Sequence, residues 1–107
     1  MKRAALIVVI NRYGADENIL SLRYAVHDGS DVRGLLQFKA RIDEGPFYPD
    51  PEDPDAILDR AEELVSCLEA GDLFLFYFAG HGITHDEKQL LLFPNVRLKS
   101  LHSGRNT

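Results

Sequence analysis

The sequence predicts an α/β fold with a mostly parallel sheet, and three observations support this prediction. Residues 4–10 and 73–78 are uniformly apolar runs, a pattern typical of parallel strands that are buried on both faces. Residues 24–37 and 54–70 carry apolar side chains at helical spacing. Strands that alternate with helices in this order favour crossover connections and a layered arrangement.

The composition is typical of one globular domain. The chain has 107 residues, of which 45% are hydrophobic and 27% are charged, enough for a modest core. The net charge of -5 gives no basic surface for nucleic acid or an anionic membrane, and no apolar run is long enough to span a bilayer. Cys67 is the only cysteine, which excludes an intrachain disulfide and favours a cytoplasmic location.

The first half of the chain is predicted to hold a strand, a helix and an irregular loop. Residues 4–10 are rich in β-branched side chains and form the first strand. The helix is predicted over 24–37, and a short strand is predicted over 38–42. The acidic segment 41–54 contains four prolines, so we expect it to lack regular structure.

The second helix has clear signals at both ends. Asp53 can cap the free amides at its start, Pro54 suits the first helical position, and Gly71 is expected to end it. Its apolar stripe comprises Ile57, Ala61, Leu64, Val65 and Leu68. The run at 73–78 follows as the predicted central strand of the sheet.

The last part of the chain is predicted to hold one more strand. A polar loop is expected at 84–88, and residues 89–93 form a strand that Pro94 stops. The tail at 95–107 is mostly polar.

A histidine between two glycines, Gly80-His81-Gly82, follows the predicted central strand. Ligands and chemistry gather beyond the carboxyl ends of the strands in open α/β sheets. Glycines let the backbone turn sharply there, and an imidazole can take up or release a proton near neutral pH. The tripeptide alone is equally compatible with a turn that has no catalytic role.

Three segments together resemble the caspase and metacaspase-like cysteine peptidases. They are the opening strand at 5–11, Leu22 followed by Ala-Val-His-Asp at 25–28, and the strand and turn at 72–82. The resemblance implies a caspase-like three-layer sandwich with a mostly parallel sheet that is incomplete at its C-terminal side. Residues 1–107 would then be the N-terminal portion of one catalytic domain.

The resemblance also implies roles for individual residues. His81 matches the histidine of a Cys-His dyad, a general base, and Gly82 matches the residue whose amide helps to form the oxyanion hole. Asp28 matches the aspartate that selects Arg or Lys before the scissile bond in metacaspase-like members; its alternative role is to cap the helix. Arg23 lies near the position of the arginine with which true caspases select Asp, though out of register with it.

The chain departs from the family at two positions. Ala79 stands where metacaspases often have serine, and no cysteine follows His81 to act as the nucleophile. Cys67 lies upstream within the second predicted helix, so we do not expect it to be catalytic. Alone, the chain is therefore not expected to hydrolyse peptides. No metal site is predicted; some metacaspases need calcium, but no pattern in this sequence identifies a calcium site.

Three functions compete at this point. The leading one is the N-terminal portion of a cysteine endopeptidase that acts on a peptide or protein substrate, with its nucleophile on a C-terminal small-subunit-like segment or a homologous chain. The second is a catalytically dead caspase-like domain that binds or regulates a complete homologue. The third is a flavodoxin-like module that binds a small anion, although no Gly-rich phosphate loop follows the first strand. Without the family's later strands, the sheet edge and one face of the strand at 73–78 would lack cover, so we expect a chain that aggregates or associates with a homologous partner.

Overall fold

A computed structural model describes residues 1–98 of the chain, so residues 99–107 of the predicted tail lie outside it. The elements follow in the order β1 (Arg3–Val9), α1 (Ala25–Phe38), β2 (Phe47–Pro49), α2 (Pro54–Ser66), β3 (Leu73–Ala79), β4 (Gly82–His85) and β5 (Lys88–Leu91). The two predicted helices and the strands predicted at 4–10 and 73–78 are confirmed. Neither helix of this part of the chain is long and apolar enough to cross a membrane.

The main sheet has three parallel strands in the order β2-β1-β3, which confirms an α/β fold with a mostly parallel sheet. β1 pairs with β3 over the whole length of both strands, from Arg3 opposite Leu73 to Val9 opposite Ala79. On its other side, β1 pairs with β2 from Ile7 to Val9. β1 is therefore the central strand, and it carries the fully buried core.

β3 was predicted to be the central strand with both faces buried, and this prediction is wrong. It lies at the edge of the sheet, with β1 as its one neighbouring strand in the described part of the chain. Leu73, Leu75 and Phe76 are 47%, 38% and 42% exposed. An apolar run shows that a segment favours a strand, but the pairing partners decide how much of that strand is covered.

The two helices cover opposite faces of the sheet. Leu6 and Val8 of β1 pack in one cluster with Ile57 and Leu64 of α2. On the other face, Gly29 of α1 lies directly against the side chain of Val9, where an added Cβ would clash. Neighbouring residues of a strand point to opposite faces, so the sheet lies between α2 and α1 in three layers.

α2 begins as predicted but ends earlier. The side chain of Asp53 accepts a hydrogen bond from the backbone N–H of Asp55 at 2.9 Å, and Pro54 occupies the first turn. The helix ends at Ser66, and Cys67 caps it and is exposed. Gly71, predicted to end the helix, instead lies in the turn before β3 with a φ of 93°.

The prediction of a short strand at 38–42 is wrong, because α1 extends to Phe38 and the next strand begins at Phe47. The strand of this region is β2, which lies inside the proline-rich segment predicted to be irregular. β2 is an edge strand three residues long, and its hydrogen bonds to β1 begin with the carbonyl of Pro46, which accepts from the N–H of Ile7 at 3.0 Å. Proline lacks only the N–H, so it is compatible with a strand edge.

β4 and β5 form an antiparallel hairpin. The loop predicted at 84–88 overlaps the end of β4 and the start of β5, so the prediction missed part of this hairpin. Asp86 and Glu87 link the two strands with φ values of 51° and 65°. Two successive residues with positive φ are typical of a type I′ turn, whose twist matches that of a two-residue hairpin. The hairpin begins one residue after His81, so it forms one wall around that side chain.

Candidate active site

His81 lies just past the carboxyl end of β3, and its backbone is fixed by Tyr13. The Tyr13 hydroxyl accepts a hydrogen bond from the N–H of His81 at 2.8 Å and donates one to the carbonyl oxygen of Leu92 at 2.8 Å. Tyr13 is only 1% exposed, and its ring centroid lies 4.9 Å from that of His81. Burial raises the pKa of the Tyr13 hydroxyl, so it remains a neutral donor and acceptor.

Gly80 is required for this arrangement. A Cβ at Gly80 would lie 2.6 Å from the Tyr13 hydroxyl oxygen and 2.9 Å from the ring of Phe78. Both distances are shorter than carbon atoms tolerate, so a larger residue would push Tyr13 away from the His81 backbone. The glycine before the histidine therefore serves close approach between side chain and backbone.

The imidazole ring of His81 is held by a carbonyl group. Its Nε2 lies 2.7 Å from the carbonyl oxygen of Leu20. A carbonyl oxygen can only accept a hydrogen bond, so Nε2 carries the hydrogen. In the neutral ring the other nitrogen, Nδ1, then has the free lone pair, which makes Nδ1 the atom that can accept a proton.

The backbone amide of Gly82 points away from the hairpin. The N–H of Leu92 donates to the carbonyl of His81 at 2.9 Å, which makes these two residues a hydrogen-bonded pair. Hydrogen-bonded and non-hydrogen-bonded pairs alternate along antiparallel strands, so Gly82 and its partner Leu91 form a non-hydrogen-bonded pair. The N–H of Gly82 consequently faces away from β5.

The loop that supplies the Leu20 carbonyl is anchored at the end of the sheet. The carboxylate of Asp50 accepts hydrogen bonds from the backbone N–H groups of Asn11 and Arg12 at 2.8 and 3.0 Å. The side-chain oxygen of Asn11 accepts from the N–H of Val26 in the first turn of α1 at 3.2 Å. These bonds tie the loop to β2 and to α1.

A cavity of about 300 Å³ lies beside His81. His81 and Gly82 form one side, and apolar side chains form most of the remainder: Ile19, Leu20, Ile83, Leu92 and Leu98. Asp16 connects two rims of this cavity, one at Asn18 and the other at Leu98. Its carboxylate accepts hydrogen bonds from the N–H of Leu98 at 2.8 Å and from the N–H of Asn18 at 2.9 Å. These hydrogen bonds lower the pKa of the Asp16 carboxyl.

The comparisons with known proteins give no relative. No family model, no curated protein and no solved structure matches this chain.

The predicted site residues fall into two groups. His81 and Gly82 are adjacent and share the cavity. Arg23 and Asp28 are exposed at the start of α1, and neither is among the described residues that line this cavity. The helix-cap alternative for Asp28 is wrong: Tyr24 occupies the cap position, and Asp28 lies in the first turn of α1.

Cys67 and His81 lie at opposite ends of β3. Cys67 precedes the start of the strand and His81 follows its end. Seven residues of strand span about 20 Å, far beyond the reach of proton transfer between a thiol and an imidazole. Within residues 1–98, no group of three or more His, Cys, Asp or Glu side chains is placed to hold a metal ion.

Sequence reasoning missed Tyr13, the Leu20 carbonyl and Asp16. One signal for Tyr13 was available, since it is the only aromatic residue in the polar stretch at 11–19. An aromatic ring in such a loop often anchors the loop to the core. No side-chain pattern could have indicated Leu20, because it acts through its backbone.

Proposed function

We propose that this chain is the N-terminal portion of a caspase/metacaspase-like cysteine endopeptidase, supplying the base His81 and the oxyanion donor Gly82 but not the nucleophile. The observation that carries the proposal is the orientation of the imidazole. The Leu20 carbonyl fixes Nε2 as the protonated nitrogen, which leaves Nδ1 as the base. Gly82 is the next residue along the chain, and its amide is the proposed donor to the carbonyl oxygen of the substrate.

The chemistry follows from these two groups. Nδ1 of His81 takes the proton from a thiol, and the resulting thiolate attacks the carbonyl carbon of the scissile peptide bond. Negative charge develops on the carbonyl oxygen, which accepts a hydrogen bond from the N–H of Gly82. His81 then gives its proton to the departing amine, so one imidazole acts first as base and then as acid.

The open edge of β3 supports a source for the missing nucleophile. A strand that paired in parallel with β3 would end at the same side of the sheet as β3. A cysteine at the end of such a strand would come to lie beside His81. The strand would belong to a C-terminal small-subunit-like segment or to a homologous chain, and it would also cover Leu75 and Phe76.

Asp28 is proposed to select a basic residue before the scissile bond. Its carboxylate is exposed in the first turn of α1, open to a Lys or Arg side chain of a substrate. Arg23 is also exposed and would instead favour an acidic residue there. The preferred peptide decides between the two residues.

A second candidate function is a catalytically dead domain that binds or regulates a complete homologue. One observation favours it: β3 exposes apolar side chains, and within residues 1–98 it pairs with β1 alone. Such a domain would use the β3 edge for binding, without chemistry at His81.

Peptidase assays on mixtures test the proposal. Arg-ending and Asp-ending fluorogenic peptides are offered to the chain alone, and to the chain mixed with a segment that carries a strand-ending cysteine. We expect activity only in the mixture, lost in His81→Ala and retained in His85→Ala, which changes a histidine of the adjoining hairpin. Asp28→Asn should weaken cleavage after Arg more than cleavage after Asp.

The dead-domain alternative predicts a different result. The two segments would associate, as measured by sedimentation, and no mixture would cleave either peptide. Activity that survives His81→Ala would also contradict the proposal, because the mechanism has no other base.

A further inference from the structure

The cavity beside His81 suits an uncharged side chain. Apart from Asn18 and the imidazole itself, its side-chain lining is aliphatic, and no Asp, Glu, Lys or Arg is among the described residues that line it. Its volume of about 300 Å³ lies at the small end of the range for ligand pockets. An aliphatic side chain would bury apolar surface there, whereas a charged one would find no oppositely charged side chain among the described lining residues.

The position of the cavity relates it to the scissile bond. His81 and Gly82 form part of its wall, so an occupant of the cavity contacts the two residues to which the proposed mechanism assigns the base and the oxyanion donor. The residue before the scissile bond is assigned to Asp28 or Arg23, and neither lines this cavity within the described part of the chain. The amine that His81 protonates belongs to the residue after the bond, which must therefore lie against the imidazole.

We propose that the cavity beside His81 binds the aliphatic side chain of the substrate residue that follows the scissile bond. This assignment rests on the proposed function and extends it to the substrate class. Peptides with leucine or a similar residue after the cleavage point fit, and peptides with an acidic residue there do not.

The cavity is held in a defined shape before any ligand arrives. Asp16 connects its two rims through hydrogen bonds to the backbone of Asn18 and Leu98, and its own carbonyl accepts from the N–H of Ile19 at 3.1 Å. The Leu20 carbonyl continues this rim to the imidazole. A preformed wall costs little ordering on binding, which favours selection by shape.

Binding of leaving-side peptides tests the assignment without needing a nucleophile. The chain is titrated with the peptide amides Leu-Ala-Ala, Gly-Ala-Ala and Asp-Ala-Ala, and the ring resonances of His81 are followed by NMR. We expect the leucine peptide to bind at least about tenfold more tightly than the other two, because only its side chain fills the cavity. Equal affinities, or no shift of the His81 resonances with any peptide, would overturn the assignment.

A pair of exposed leucines provides the matched variants. Leu20 is 80% exposed at the rim of the cavity, and Leu35 is 60% exposed on α1, outside the described lining. Leu20→Asp should remove most of the preference for the leucine peptide, while Leu35→Asp leaves it unchanged. Equal effects of the two variants would show that charge, and not the cavity, sets the affinity.

The peptidase assay separates this assignment from the proposed function. Activity in the mixture without any preference for leucine after the scissile bond would overturn the assignment alone. A leucine preference in binding, with no activity in any mixture, would contradict the peptidase and support the cavity as a peptide-binding site.

Discussion

β1 and β3 are both apolar strands of seven residues, and they differ completely in burial. The residues of β1 from Ala4 to Val9 are at most 1% exposed, whereas β3 leaves Leu73, Leu75 and Phe76 more than a third exposed. The two strands are paired along their whole length, so the difference lies in what surrounds each one. β1 has a strand on either side, while β3 has β1 as its one neighbouring strand among residues 1–98.

The comparison distinguishes strand formation from burial in the core, two properties that an apolar run suggests together. Hydrophobicity and β-branching determine that a segment forms a strand, but the order of strands determines which one forms the core. β1 therefore supplies half of the buried hydrophobic residues of the core. β3 carries the histidine at its end and a surface that can accept another strand.

The largest expected effect is a stability difference between matched leucine substitutions in the two strands. Leu6→Ala should lower the free energy of unfolding by about 2–5 kcal/mol, because it leaves a cavity in a fully buried site. Leu75→Ala should cost about 1 kcal/mol or less, since Leu75 is 38% exposed and its surroundings can relax. Urea unfolding measures both variants.

Equal losses for Leu6→Ala and Leu75→Ala would break the comparison. They would mean that the free edge is covered in solution. Repeating the measurement with a bound partner strand tests the reason for the difference. The stability loss of Leu75→Ala should then rise towards that of Leu6→Ala.

A smaller effect is expected from two glycines of α1. Gly29→Ala should destabilise the chain by about 1–3 kcal/mol, because the new methyl group would clash with Val9 of β1. Gly34→Ala should stabilise it by up to about 1 kcal/mol, because the added Cβ meets no atom within 4 Å beyond its chain neighbours and the backbone of its own helix, and alanine favours the helix. Thermal unfolding of both variants provides the test. If both stabilised the chain, α1 would not pack tightly on β1.

The sequence was sufficient to predict the strands and helices that carry a strong local pattern. β1, α1 and α2 were predicted because each has a regular hydrophobic period or a clear cap, such as Asp53. The strand of this region was predicted at 38–42 but lies at Phe47–Pro49. The prolines suggested a loop there, and pairing with β1, which no local pattern reveals, makes the segment a strand. β4 was missed because it begins with Gly82, shortly after Gly80, and its four residues carry no strong alternation.

The candidate site was predictable in part for the same reason. His81 and Gly82 are contiguous and share a recognisable turn, so the sequence placed them together. The cavity depends on Ile19, Ile83 and Leu98, which are far apart along the chain and meet only through tertiary packing. No local pattern connects these residues.

The smallest expected effect is a pH dependence of stability. It arises at Asp72, which joins the amino ends of β1 and β3. Its carboxylate accepts hydrogen bonds from the N–H groups of Glu69 and Lys2, both at 2.8 Å, and these bonds lower its pKa below the usual value of 3.8. The resulting stability is fully present above pH 3.8 and is lost as the pH falls through the lowered pKa.

We therefore expect a small loss of stability below about pH 4, measured as a shift of the urea midpoint with pH. Asp72→Asn should reduce this dependence. Asp59→Asn, at an exposed position of α2, is the matched control. If the wild-type dependence persisted in Asp72→Asn, these hydrogen bonds would not stabilise the junction of the two strands.

The unequal edges of the sheet limit how copies of this chain can assemble. β3 offers seven residues without proline or charge, whereas β2 offers three residues and includes Pro49. Two copies joined through β3 would present only β2 at either end, and a short, proline-containing strand is a poor template for further pairing. We therefore expect two copies that join through β3 to form a closed pair and not a growing fibre.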